Sequence, residues 1–306
     1  MRTSTVTEPK PFLKWAGGKG QLIGQLSRLL PKALSEKRTI TNYFEPFLGG
    51  GAFFFWLSSR YDFKKVFLYD ANRDIADSYR TIKNRLAALI AELERLQADY
   101  LKRAELPRET FFYEKRDEFN MLSTAQGRPD VVRKSALLIF LNKTCYNGLY
   151  RVNLRGEFNV PFGRYKAPVI CNKTNLAAVA AALKNAVVLH ADFAACLKDA
   201  DEHSFVYFDP PYRPLSKTAN FNKYAAVAFD DAEQKRLKEV IDRLTVQKAY
   251  VMLSNSDPKN HDPKDDFFDK LYACYRITRL KAARMINSDF TRRGEIKEIL
   301  VTNYDN

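Results

Sequence analysis

Cysteine and histidine are scarce in this chain, and those present are scattered. The four cysteines (Cys145, Cys171, Cys196, Cys274) include no C-x-x-C pair, which argues against a zinc site or a disulfide framework. The three histidines (His190, His203, His261) show no ligand spacing, so no metal is expected. Met1 to Lys10 carries no apolar signal segment, and no run is long enough to span a bilayer. Those absences predict a cytoplasmic protein with no membrane partner. Internal repeats and low-complexity tracts are missing too. Neither G-x-x-x-x-G-K-[ST] nor G-x-G-x-x-G occurs, which disfavours a P-loop and a dinucleotide site. Acidic residues are outnumbered, 36 against 50 basic, and the net charge of +14 points to a polyanionic partner.

What is present is a large apolar and aromatic fraction. Of 306 residues 46% are apolar, with 22 Phe and 16 Tyr, enough for one large domain or one domain with an insertion. The most informative stretch is Ser204-Phe205-Val206-Tyr207-Phe208 followed by Asp209-Pro210-Pro211-Tyr212. The first five residues read as a buried strand. The prolines end it, since neither donates a backbone N–H and each holds its predecessor extended. A carboxylate, carbonyls and an aromatic ring are thereby left at the carboxyl end of a strand, where open α/β sheets bind ligands. Such a cluster suits a planar base bearing an amino group; alone, it would also serve as a strand-ending turn.

Upstream, Gly17-Gly18-Lys19 precedes a helical pattern from Gln21 to Leu30. The glycines permit close backbone approach to a ligand, and Lys19 adds a positive charge; a plain tight turn is the alternative. The strand Thr39 to Phe44 leads into Glu45-Pro46-Phe47-Leu48-Gly49-Gly50-Gly51 and an apolar helix from Ala52 to Leu57, half of a Rossmann-like unit. Val66 to Tyr69 is a second strand ending at Asp70, a carboxylate placed for ribose hydroxyls or for capping the helix predicted from Asn72 to about Leu96. From Gln97 the pattern turns helical, over Pro107 to Met121 and Val131 to Leu141. A basic segment with interleaved tyrosines follows from Asn142 to Lys166. Its Asn-Gly and Arg-Gly steps predict turns between short strands, suited to a DNA groove or to a solvated hairpin. The sheet pattern resumes at Val187 to Ala191, then Asp192-Phe193. Further strands are predicted at Ala249 to Leu253, Tyr272 to Arg279 and Glu298 to Thr302, with a helix capped by Asp230. Residues 1–96 and 187–306 thus read as two parts of one catalytic domain, and 97–186 as an inserted target-recognition domain.

Several of these blocks occur together, in order. Phe12-Leu13-Lys14-Trp15-Ala16-Gly17-Gly18-Lys19, the Glu45 to Gly51 block, Tyr146 to Lys166, and Asp209 to Tyr212 extended to Phe221 give the chain a strong resemblance. It resembles the Dam family (D12 class) of DNA adenine-N6 methyltransferases, which methylate adenine in GATC. The resemblance implies S-adenosylmethionine as methyl donor and a monomer acting on double-stranded DNA. It also implies a doubly wound, mostly parallel Rossmann-like sheet with an inserted, mostly helical target-recognition domain carrying a β-hairpin. By the same resemblance Trp15, Lys19, Glu45, Pro46, Phe47, Asp70 and Asp209 would line the cofactor pocket. Asp192 and Phe193 would flank the cofactor adenine. Tyr146 would push into the base stack, with Asn147 filling the vacated space. Arg151 would read guanine, Leu149 and Pro161 would touch thymine, Lys14 the outer guanine, and Arg164 a phosphate. Arg284 to Asp289 and Arg292-Arg293-Gly294 depart from the family's pattern, which bears on how the flipped base is seated.

Asp209, Pro210, Pro211 and Tyr212 would then form the catalytic motif. The Asp209 carboxylate and the Pro210 carbonyl accept from the adenine amino group and Tyr212 stacks on the base, so that positioning and electrostatics supply most of the catalysis. Two rivals are a methyltransferase with another target and a non-catalytic DNA-binding protein. The intact Asp-Pro-Pro-Tyr and glycine blocks oppose the second. A place in a restriction system, a solitary role or a phage origin all remain open at this level.

Overall fold

Alternation along the strands divides the core into two layers. The computed structural model describes residues 7–15, 19–124, 130–213, 229–283 and 295–305. Tyr43, Phe205, Tyr207, Met252 and Leu300 face one layer, while Phe44, Val206, Phe208, Leu253, Ile299 and Val301 face the other. All are buried, and each such side chain contributes roughly 1.5–3 kcal/mol of hydrophobic stabilisation. Gly17 and Gly18, residues 214–228 with Phe221, and Arg284, Arg292 and Arg293 lie outside the described residues.

The first elements are α1 (Ile23–Leu26), α2 (Lys32–Lys37), β1 (Thr39–Glu45), α3 (Ala52–Ser58), β2 (Asp62–Asp70), α4 (Arg73–Asn84) and α5 (Leu86–Leu101). Then come α6 (Glu105–Thr124), α7 (Val131–Thr144), α8 (Lys173–Ala182), β3 (Ala186–His190) and β4 (Ser204–Phe208). The chain continues through α9 (Asp231–Val246), β5 (Tyr250–Ser256), α10 (Phe267–Leu271), β6 (Arg276–Ala283) and β7 (Glu295–Thr302). The strands form one seven-stranded sheet in the order β3-β2-β1-β4-β5-β7-β6. The first five are parallel; β7 runs antiparallel between β5 and β6. This is the doubly wound, mostly parallel, Rossmann-like sheet that the sequence predicts. From β1 the chain winds outward through β2 and β3, then returns to β4 and winds the other way. The switch point lies between β1 and β4, and ligands of open α/β sheets bind beyond the strand ends there.

Between β2 and β3 the chain is mostly helical. α7 is buried from Ser135 to Asn142, with α4, α5 and α6 packed around it. Arg133 of α7 binds Glu118 of α6 at 2.6 Å and Glu92 of α5 at 2.7 Å. One apolar cluster runs from Phe12 and Phe53 through Leu89 and Phe140 to Phe162, so these helices share a core with one face of the sheet.

Some expectations shift in detail. The helix predicted from Asn72 to Leu96 breaks at Arg85, whose φ of −139° is not helical. Asn72 caps it, accepting from the Asp74 N–H at 2.9 Å. The strand predicted from Tyr272 begins at Arg276, because Tyr272 ends α10 and is buried there. Short strands were expected in the 142–166 segment. Pairing there is confined to two isolated antiparallel bridges, Cys145 with Phe162 and Val152 with Phe158. α8 and α10 have no counterpart in the sequence reading.

Candidate active site

Asp209 follows β4 directly at the switch point. β1 ends beside it at Glu45, and β5 brings up Ser254. The Ser254 Oγ donates to Asp209 Oδ1 at 3.3 Å and lies 2.9 Å from the Tyr207 hydroxyl. Lys19, almost wholly buried, places its ammonium 3.1 Å from Asp209 Oδ1 and 2.8 Å from Glu298 Oε2. It also donates to the Tyr212 hydroxyl at 2.9 Å, and that hydroxyl donates to Glu298 Oε1 at 2.9 Å. Lys19, Asp209, Tyr212 and Glu298 therefore form one connected polar network at the rim.

Electrostatics follow from this packing. Burial pushes the Asp209 carboxyl up, opposed by the Lys19 charge and reinforced by that of Glu298. Burial also drives Lys19 down, but the negative charge around it, Asp209 first, leaves its ammonium well above the ordinary lysine value. Glu45, fully enclosed, is pushed up to about 8 by burial, and accepts from the Tyr43 hydroxyl at 2.5 Å. That burial favours the uncharged acid at Glu45, beside Asp209 on β1.

The prolines divide the motif's exposure. Pro210 is buried, whereas Pro211 is exposed and its carbonyl faces the Gln234 amide at 3.5 Å. The next residue, Arg213, grips Asp231 at 2.5 Å and Asp265 at 2.7 Å with its guanidinium 4.2 Å from the Phe267 ring centre. That clamp fixes the chain just past Tyr212.

On the other side of the switch point, the glycine turn and Asp70 are joined directly. The Gly49 N–H donates to Asp70 Oδ2 at 2.9 Å and the Asn72 N–H to Oδ1 at 2.8 Å. Burial still pushes Asp70 up to about 6, against the pull of these two bonds. Gly49 has a positive φ of 46°, and a Cβ there would lie 2.6 Å from Trp15 Nε1. Trp15 therefore covers the turn as closely as a glycine allows. Pro46 is buried; Phe47 stacks on Phe193 with centroids 5.3 Å apart, forming an aromatic wall. Asp192 next to it is held by Arg236, whose guanidinium contacts its two oxygens at 2.9 and 2.7 Å and lies 3.9 Å from the Phe193 ring centre. Arg236 holds the Asp192 carboxyl below the usual range.

The sequence-predicted residues of the 142–166 segment cluster as well. Lys14 is tied to this segment by Asn142, which accepts from the Lys14 N–H at 2.7 Å and donates to the Lys14 and Gly148 carbonyls. The Lys14 ammonium lies 4.3 Å from the Tyr165 ring centre. Tyr146, Asn147, Arg151, Pro161 and Arg164 are exposed, and Leu149 packs partly against the core. The Tyr146 N–H donates to the Pro161 carbonyl at 2.8 Å, which puts these two residues opposite each other. Arg151 donates to Asn159 at 2.7 and 3.1 Å. Lys143, partly buried near Lys14, is pushed down to about 8 by burial and then by that second cation.

Sequence reasoning missed Glu298, Arg236 and the Arg213 clamp. Glu298 stands before the apolar run Ile299-Leu300-Val301, which reads as a plain buried strand, and its partner Lys19 is 279 residues away. Among the described residues no cluster of His, Cys, Asp and Glu has the makings of a metal site, and no helix is long and apolar enough to cross a membrane.

Comparison with known proteins identifies the family. The family described as D12 class N6 adenine-specific DNA methyltransferase matches residues 15–286. The Type II methyltransferase M.MjaIII of Methanocaldococcus jannaschii is 47% identical over 298 residues, covering 97% of this chain and 100% of that one. The Type II methyltransferase M1.LlaDCHI of Lactococcus lactis is 34% identical, covering 97% and 96%. The DNA adenine methylase of Escherichia coli is 34% identical over 291 residues, covering 95% and 94%. The family implies S-adenosylmethionine as methyl donor and duplex DNA as substrate. On a match spanning most of its length, this chain belongs to the D12 class of N6 adenine-specific DNA methyltransferases.

Proposed function

We propose that this enzyme methylates adenine within GATC in double-stranded DNA, turning the target base out of the helix to reach Asp209. The observation that carries the reading is the polar rim around Asp209 and Tyr212 at the switch point, where an extruded base can meet a carboxylate and an aromatic ring together. The GATC assignment draws its support from the Tyr146 to Lys166 block and from the exposure of Tyr146, Arg151 and Arg164 on one segment. We assign residues 97–186 to target recognition and residues 1–96 with 187–306 to catalysis, acting as a monomer.

S-adenosylmethionine supplies a methyl group on a positively charged sulfur. The residues present fit such a group. Asp70 offers a half-buried carboxylate to ribose hydroxyls, and Phe47 and Phe193 offer an apolar wall to a purine. Trp15, Glu45 and Pro46 close the glycine turn, and Lys19 holds the rim beside it. Asp192, oriented by Arg236, is the acceptor for a purine amino group.

Adenine's amino nitrogen is a poor nucleophile because its lone pair is shared with the ring. Asp209 accepts one of its N–H bonds and the Pro210 carbonyl the other, drawing the nitrogen toward tetrahedral geometry. Pro211 stiffens the turn that presents them. Tyr212 stacks on the base and fixes its plane. Such placement of preorganised acceptors is where the rate enhancement arises. In the 142–166 segment, Tyr146 enters the base stack and Asn147 fills the gap. Arg151 reads guanine, Leu149 and Pro161 touch thymine, Lys14 contacts the outer guanine and Arg164 a phosphate.

The test is to treat unmethylated genomic DNA with the enzyme and S-adenosylmethionine and map N6-methyladenine by sequencing. Modification confined to GATC is the expected result. Modification at another motif overturns the target assignment, and 2-aminopurine placed at the target position that stays dark on binding overturns the flipping step.

A further inference from the structure

Glu298 lies outside every block that points to methyl transfer, yet the polar contacts of the rim converge on it. It sits on β7, paired with Ser256 of β5 on one side and Leu280 of β6 on the other, with only 9% of its side chain exposed. One oxygen accepts from Lys19 at 2.8 Å and the other from the Tyr212 hydroxyl at 2.9 Å. Lys19 spreads its remaining contacts over the Tyr212 hydroxyl at 2.9 Å and Asp209 at 3.1 Å. Of the three N–H bonds of the ammonium, two have acceptors in the Tyr212 hydroxyl and Glu298, and Asp209 lies within ion-pair distance. The Tyr212 hydroxyl accepts once and donates once, so its ring is held from both ends of the triangle.

We propose that Glu298 is a positioning residue for methyl transfer, drawing the Lys19 ammonium partly off Asp209 and pinning the Tyr212 ring so that Asp209 can accept the adenine amino group. This rests on the reading of Asp209 and Tyr212 given above. Lys19 paired with Asp209 alone would neutralise that carboxylate and compete with adenine for its lone pairs. With Glu298 in the network, two carboxylates share one ammonium, and a formal negative charge is left over at the rim. As the new bond forms, the methyl group leaves sulfur, which keeps the bonding pair, and the amino nitrogen becomes cationic until its proton passes to Asp209 or to water. A surplus negative charge fixed beside that nitrogen stabilises the change.

The titratable groups facing Asp209 are Lys19 from the N-terminal turn, Glu45 from β1, Tyr207 from β4, Tyr212 and Glu298, with the Ser254 hydroxyl of β5 donating to it. Glu298→Gln changes the charge of only one of them and keeps its size. Because the Glu298 charge raises the Asp209 carboxyl, its loss moves the acid limb of kcat to lower pH. The expected result is that shift, with kcat down about tenfold or more and KM for S-adenosylmethionine and DNA affinity each changed by less than about threefold. Glu298→Asp restores part of the rate. An unchanged kcat, or a loss equal at every pH with an unmoved limb, overturns the proposal. Should Glu298→Gln fail to fold, Tyr212→Phe removes the hydroxyl from the same triangle. It is expected to lower kcat by about threefold to tenfold with the acid limb in place, and a wild-type kcat there overturns the proposal. Asp209→Ala separates the two readings. If it retains turnover, the assignment of the site fails; if it is inactive while Glu298→Gln behaves as wild type, only the role of Glu298 fails.

Discussion

The rim and the 142–166 segment are built to opposite plans. At the rim Lys19, Asp209, Tyr212, Ser254 and Glu298 are linked by contacts of 2.8–3.3 Å. In the other segment backbone pairing is confined to two isolated bridges, and Tyr146, Arg151, Pro161 and Arg164 point to solvent. Acceptors that must meet a developing charge work best when already fixed, because no reorganisation is then needed during the reaction. Side chains that read bases gain their final partners from the DNA, and a loosely paired scaffold lets them adjust to it. Asn147 and Arg164, both at positive φ (54° and 56°), mark where that scaffold turns.

Four substitutions test this contrast, the most severe first. Asp209→Ala is expected to lower kcat on the order of a thousandfold with DNA affinity retained. Turnover near wild type in a methyl-transfer assay would show that the rim is not the chemical site. Asp70→Ala is expected to weaken S-adenosylmethionine binding roughly ten- to a hundredfold and to leave DNA binding alone. Because burial pushes Asp70 up to about 6, the wild-type protein should itself lose cofactor affinity as pH falls through that value. Calorimetry from pH 5 to 8 reads both effects, and a flat profile removes Asp70 from the pocket.

The remaining two act on the adaptable segment. Arg151→Ala is expected to cut discrimination against duplexes altered at the guanine by about five- to 150-fold, more than it lowers the rate on GATC. Arg164→Ala should instead weaken binding evenly across sequences and reduce the salt slope by about one. If Arg164→Ala changes the sequence preference and Arg151→Ala does not, the two roles are exchanged.

Much of the rim was legible because each part of it sits where a pattern ends. Asp209 ends an aromatic strand at two prolines, and Asp70 ends a run of apolar residues. The glycine block interrupts a strand and a helix, and each is a local signal. The break at Arg85 left none. Ile82 and Leu89, both buried, are seven residues apart, the spacing that an unbroken helix also gives. Glu298 and Arg236 were hidden for a different reason: each works through a partner far along the chain, and a lone charge in a strand or on a helix looks like a solvated side chain. Asp192 shows the same limit. Its position beyond β3 was readable, and the arginine that holds its carboxylate was not.

The location of Glu298 also bears on the order in which the sheet can be completed. β7 is the last strand of the described chain, yet it occupies an interior place in the sheet, between β5 and β6. A nascent chain that has emerged only as far as β6 carries Asp209, Tyr212 and Lys19 but has no strand to join β5 to β6. Its Lys19 has Asp209 as the one carboxylate partner of the two described here. Insertion of β7 between β5 and β6 would then both close the sheet and bring a second carboxylate, Glu298, to the Lys19 ammonium.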